Sequence, residues 1–195
     1  MVNVYKLLFL NTFFCLILAG CVSVEKRPVS PGGFQLKGKL AVEEAGERHS
    51  GNFLWHQQGD AFGIDVWGPL GQGRIHLIGN ARTLSLLDGE GAVVRQGPSE
   101  QVMLAALGWS MPLDVLTDWV LGVPDPDLPV AGQVYGEDGR LQSFEQAGWA
   151  IEFAQYRLVE QVSGPRWLPR KVDVRRAGTR IRLIIAEWQI AEASI

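Results

Sequence analysis

Between Phe34 and Gln96 the apolar residues fall at every second position, a period that suits strands and not amphipathic helices. Leu36, Gly38, Leu40 and Val42 alternate with Lys37, Lys39 and Ala41, giving one apolar and one wet face. Phe53 and Trp55 mark a second strand, Phe62, Ile64 and Val66 a third, Ile75 and Leu77 a fourth, and Leu84 and Leu86 a fifth. Gly59-Asp60, Gly79-Asn80 and Asp88-Gly89 are turn signals between them, and the spacing predicts an antiparallel meander.

The period changes at Gly97-Pro98. Proline suits the first turn of a helix, and Val102 to Leu107 runs apolar to a terminating Gly108. A second helix is predicted after Pro112, with Val115, Leu116, Trp119 and Val120 at helical spacing, Asp114 near its positive end, and Gly122 and Pro124 as stops. Strands resume through Tyr135, Leu141 to Phe144, Trp149 to Phe153, Leu168 to Val174 and Ile181 to Trp188. The order is five or six strands, two short helices and four or five more strands, which is an α+β domain with about ten or eleven strands.

A curved sheet of that size presents more apolar surface than two helices of about ten residues can cover. Either the sheet closes and fills itself with side chains, or it stays partly open around a cavity under the helices. Strand parity points Phe53, Trp55, Phe62, Ile64 and Val66 inward, and Leu116, Trp119 and Trp149 join them as candidate cavity lining. The seven tryptophans suit a packed core as readily as a pocket, so none of them alone signals a ligand.

The N-terminal segment is a different material. Leu7 to Leu18 is an apolar run after a single Lys6, too short to span a bilayer, and it reads as a secretory signal peptide over residues 1–20. Its end, Leu18-Ala19-Gly20-Cys21, resembles the lipobox of bacterial lipoproteins, which implies cleavage before Cys21 and lipid on its thiol. Val22 after the cysteine resembles the sorting pattern for the outer membrane. Residues 21–33, with two prolines and two glycines, read as a lipidated tether, and residues 34–195 as one folded domain. Since Lys6 is the only charge removed, 17 basic residues face 21 acidic ones in the processed chain, a balance that argues against nucleic-acid binding.

Catalytic and metal motifs are missing. His49, His56 and His76 lie on separate strands without ligand spacing, and no Gly-x-Ser-x-Gly elbow or phosphate-cradling glycine loop occurs. Asp125 and Asp127 sit among prolines on a loop, as solvated carboxylates do. No enzymatic activity, cofactor or metal is expected. Two features stand out instead. Between Gly164 and Arg182 seven basic residues meet one acid, Asp173, and alternation puts Arg180 and Arg182 on a wet face that could dock an acidic partner. In Trp67-Gly68-Pro69-Leu70-Gly71, turn chemistry predicts exposure yet Leu70 is apolar.

Seven blocks, in order, resemble the LolB family of outer-membrane lipoprotein receptors. They are Phe34 to Ala41, Ser50 to Trp55, Gly68 to Gly71, Gly108 to Leu113 running on to Trp119, Gln146 to Ile151, Leu168 to Lys171, and Ile181 to Leu183 with Trp188. The resemblance implies a half-open antiparallel β-barrel whose helical lid covers an apolar cavity. It further implies a receptor on the periplasmic face of the outer membrane that takes lipoproteins, by their acyl chains, from a soluble carrier of the LolA type. Leu70 is then the residue that helps insertion into outer-membrane lipid. The chain is expected to act as a monomer. The alternative is an outer-membrane lipoprotein that binds or senses another hydrophobic ligand.

Overall fold

The computed structural model describes residues 32–80, 82–161 and 164–191. The expected signal peptide, Cys21 and the tether up to residue 31 lie outside them. Six strands come first: β1 (Gly33–Glu44), β2 (Glu47–Gln58), β3 (Ala61–Trp67), β4 (Ile75–Gly79), β5 (Thr83–Leu87) and β6 (Val93–Pro98). Two helices follow, α1 (Ser99–Leu107) and α2 (Leu113–Val120). Then come β7 (Val130–Tyr135), β8 (Leu141–Gln146), β9 (Trp149–Ala154), β10 (Arg157–Val159), β11 (Arg166–Leu168), β12 (Lys171–Arg176) and β13 (Thr179–Ala191).

Eleven strands form one antiparallel sheet in the order β6-β5-β4-β3-β2-β1-β13-β12-β9-β8-β7. The first and last strands meet in its middle, and β6 and β7 are its two unjoined edges. The chain passes from one open edge to the other through α1 and α2, which lie over the concave face, with Leu116 against the first half of the sheet and Trp119 against Phe144 of β8. This is a half-open barrel. Its concave face carries Leu36, Val42, Phe53, Trp55, Ile64 and Leu77 from the first half and Ile151, Phe153, Val172 and Val174 from the second, all buried.

The curl has a local cause. Between Lys37 and Gly38 the β1–β13 register shifts, leaving Ala186 as an extra residue on β13. A Cβ on Gly38 would lie 2.1 Å from the Ile184 carbonyl oxygen, so only glycine allows the close approach. The extra residue also reverses parity along β13. Ile181, Leu183 and Ile185 face the core before it, and Trp188 and Ile190 pack against the same core after it.

The helices follow their punctuation. Pro98 precedes α1, and Gly108, with φ at 78°, closes it in the left-handed region while its N–H donates to the Leu104 carbonyl. Pro112 precedes α2, which buries Leu113, Val115, Leu116, Trp119 and Val120. One expectation fails in detail. The run Leu168 to Val174 is not one strand, because Pro169 has no N–H to continue a ladder. The chain breaks there into β11, which pairs only with β10, and β12, which joins the large sheet.

Candidate functional site

A cavity of about 380 Å³ lies between the concave face of β1–β4 and the lid. That is the low end of the size of small-molecule pockets. Of the eight residues expected to line it, Phe53, Trp55, Ile64, Val66 and Leu116 do so. Trp55 presents its ring because its polar edge is satisfied elsewhere: Nε1 donates to Gln57 Oε1 at 2.9 Å, and Gln57 Nε2 donates to the Gly59 carbonyl at 2.6 Å. The lid adds Ala106, Leu107, Trp109 and Met111, which the sequence reading did not single out. The signal was present, since Trp109 and Met111 are large apolar residues in a five-residue connection between two helices, where polar residues are the rule.

The structure places the other three elsewhere. Phe62 borders a second pocket of about 390 Å³ at the opposite end of the barrel, beside Asp60, Arg82, Asp114 and Asp118. Burial raises the Asp118 carboxyl above its usual range, and the nearby charges of Asp125 and Asp127 raise it further. Such a lining suits water and ions, not alkyl chains. Trp119 is fully buried, packs edge-on against Phe144 with ring centroids 6.3 Å apart, and donates from Nε1 to Gln146 Oε1 at 2.9 Å. Trp149 is buried under Arg176, whose guanidinium lies 4.4 Å from the ring centroid.

The loop between β3 and β4 opens at the same end as the apolar cavity, to which it contributes Gly73. It is tied by two backbone bonds, Gly68 N–H to the Gln72 carbonyl at 2.8 Å and Gly71 N–H to the Gly68 carbonyl at 3.0 Å. Gly71, at φ 81°, turns the chain back. Leu70 is left at the tip, 88% exposed. At the root, a Cβ on Gly51 would come within 2.7 Å of the Trp67 carbonyl oxygen, so β2 needs glycine where the loop departs.

The family model described as "LolB: Outer membrane lipoprotein LolB" matches residues 32–188. The chain belongs to the LolB family. Proteins named "Outer-membrane lipoprotein LolB" from Nitrosococcus oceani and Cellvibrio japonicus are 34% and 31% identical to it over 157 residues, which span 80% of this chain and 76% and 77% of theirs. One from Pseudomonas fluorescens is 30% identical over 198 aligned positions, 92% of this chain and 94% of its own.

Four of the seven blocks that carried the LolB resemblance lie around the cavity. Phe34 to Ala41 and Ser50 to Trp55 are the neighbouring halves of β1 and β2, Gly68 to Gly71 is the protruding loop, and Gly108 to Leu113 is the link between the lid helices. On the outer face, Arg180 and Arg182 converge with Arg175 on the buried Asp173. Arg180 Nε donates to Oδ1 at 2.8 Å, Arg182 Nε to Oδ2 at 2.7 Å and Arg175 Nε to Oδ1 at 3.0 Å. The arginines keep a third or more of their side chains exposed, and Arg175 also pairs with Glu152 at 2.7 Å, so three positive charges meet two negative ones and leave a small basic excess centred on Arg180 and Arg182.

Burial alone would push the Asp173 carboxyl up, but hydrogen bonds from Arg180, Arg182 and Arg175 outweigh it and hold the group down at about 2. A carboxyl depressed in the folded state stabilises the fold above its unfolded value near 3.8 and loses that contribution as pH falls towards 2. The difference is worth about 2 kcal/mol. Asp173→Asn should therefore be less stable than the unsubstituted chain at pH 7, with the gap closing between about pH 4 and pH 2 in denaturant titrations. A gap of constant size across that range would remove the ionic explanation.

Proposed function

We propose that this chain is an outer-membrane lipoprotein, anchored through lipid on Cys21, that receives other lipoproteins from a periplasmic carrier of the LolA type and passes them to the membrane. The observation that carries this reading is the apolar cavity beneath the α1–α2 lid, open at the end from which Leu70 projects. Three acyl chains contain about 40 methylenes, each worth about 0.8 kcal/mol of burial, so cargo cannot cross water unshielded. Direction needs much less, since every 1.4 kcal/mol of tighter acyl binding in the acceptor gives about tenfold bias. No nucleotide is required. The basic face around Arg180 and Arg182 is the surface offered to an acidic carrier, acting mainly on the encounter rate.

The test is an exchange. When the chain is mixed with an acylated lipoprotein held by its carrier, the lipoprotein should change hands. Failure to exchange, with tight binding of a free fatty acid instead, would replace this reading with that of a binder of another hydrophobic ligand. Within the same assay, Leu70→Glu should leave uptake intact and reduce delivery to vesicles by tenfold or more, because a charge at the tip opposes burial in the interface. Lost uptake in that variant would take the loop out of the delivery step.

A further inference from the structure

The root of the Leu70 loop is closed by a cation and an aromatic ring. β3 and β4 pair in register up to Val66 and Ile75, so Trp67 and Arg74 are the next residues on each side, and the Arg74 guanidinium lies 4.8 Å from the Trp67 ring centroid. Strand parity puts both on the outer face, since Ile64 and Val66 line the cavity. Arg74 is exposed and no carboxylate among the described residues forms an ion pair with it, whereas Asp65 and His76, the next outward pair down the hairpin, are matched to each other. An unpaired guanidinium stacked on a tryptophan, behind an exposed leucine, is the order of groups met on going from headgroups into hydrocarbon.

We propose that Arg74, held by Trp67, binds the phosphate of an anionic phospholipid and sets the depth to which Leu70 enters the bilayer. This deepens the proposed function and rests on its delivery step. Gly73 lines the cavity and Arg74 follows it, so a loop docked in this way puts the cavity mouth at the headgroup layer. Acyl chains leaving the cavity then meet lipid without crossing open water. The planar guanidinium offers paired donors to phosphate oxygens, and the ring keeps it from folding away from the membrane.

The experiment uses the full lipidated chain in vesicles, with an environment-sensitive fluorophore on a cysteine introduced by Gln72→Cys. Insertion is read as a blue shift and as quenching by lipids brominated in their acyl chains. In phosphatidylcholine vesicles containing phosphatidylglycerol, Arg74→Gln should reduce the inserted fraction about fivefold, the loss expected for one cation near an anionic surface. In pure phosphatidylcholine it should change little, and Arg74→Lys should keep part of the anionic-lipid effect. Equal insertion of Arg74→Gln and the unsubstituted chain in both vesicles would overturn the proposal. So would inorganic phosphate abolishing the effect at unchanged ionic strength, which would mark a site for free anions. Transfer from the carrier is followed in the same samples. No transfer by the unsubstituted chain fails the proposed function, while normal transfer with insertion indifferent to Arg74 fails this inference alone.

Discussion

Ala106→Trp should cut uptake of an acylated lipoprotein about a hundredfold and leave thermal stability nearly unchanged. Ala106 lies in the last turn of α1, is exposed to solvent, and also lines the apolar cavity, which places it at the mouth. An indole there enters space that an alkyl chain would otherwise occupy, without displacing a packed side chain. Excluding about four methylenes at about 0.8 kcal/mol each removes about 3 kcal/mol of binding, or about two orders of magnitude in affinity. The cost to folding is only the small difference in helix propensity between alanine and tryptophan, within about 0.7 kcal/mol. Leu104→Trp is the control, since Leu104 lies on the same helix, is 57% exposed and does not line the cavity. Uptake should be followed by transfer of labelled lipoprotein from its carrier, and stability by thermal melting. If Ala106→Trp takes up cargo at the normal rate, the acyl chains bind elsewhere.

Local signals account for what was legible beforehand. The alternation that marks β1 to β5 and the Pro and Gly that bracket α1 and α2 act within a few residues, so the sequence displays them directly. Non-local consequences are invisible at that range. Nothing around Ala186 announces that an extra residue will reverse the parity of β13, because the bulge exists only against β1. Parity also tells which face a side chain takes and not how far along the barrel it sits. Phe53, Ile64 and Val66 therefore reach the cavity, while Phe62, with the same parity, sits beside Asp60 and Asp118 at the other end. Alternation put Arg180 and Arg182 on the outer face, but not their shared partner: Asp173 is opposite Arg182 only through the β12–β13 register.

Gln146 enters the sequence reading only as the first residue of a resemblance block, with no role attached, and its replacement should have the largest effect on stability. It is 2% exposed, and its side chain joins three separate segments. Oε1 accepts from Trp119 Nε1 and from the Asp125 backbone N–H, both at 2.9 Å, while Nε2 donates to the carbonyls of Asp125 at 2.9 Å and Leu128 at 3.1 Å. One amide thus fastens α2 and the loop leading to β7 onto β8. Gln146→Leu keeps the volume and removes all four bonds. The Trp119 N–H, buried with its ring, is then left without a partner, and water can only partly replace the rest. The loss should be about 3 kcal/mol, a large part of the 5–15 kcal/mol of a typical domain. At about 2–4 °C per kcal/mol for a chain of this size, the melting temperature should fall by about 10 °C. Gln146→Glu separates hydrogen bonding from shape. A carboxylate still accepts from Trp119 and Asp125 but faces two carbonyls without a donor, near the charges of Asp118, Asp125 and Asp127. Its folded pKa should be raised, so its stability relative to the unsubstituted chain should be better at pH 5, where a proton can bridge to a carbonyl, and worse at pH 8. A pH-independent deficit in Gln146→Glu, or a loss below about 1 kcal/mol in Gln146→Leu, would mean that the lid is held by the packing of Trp119 against Phe144 and not by the amide.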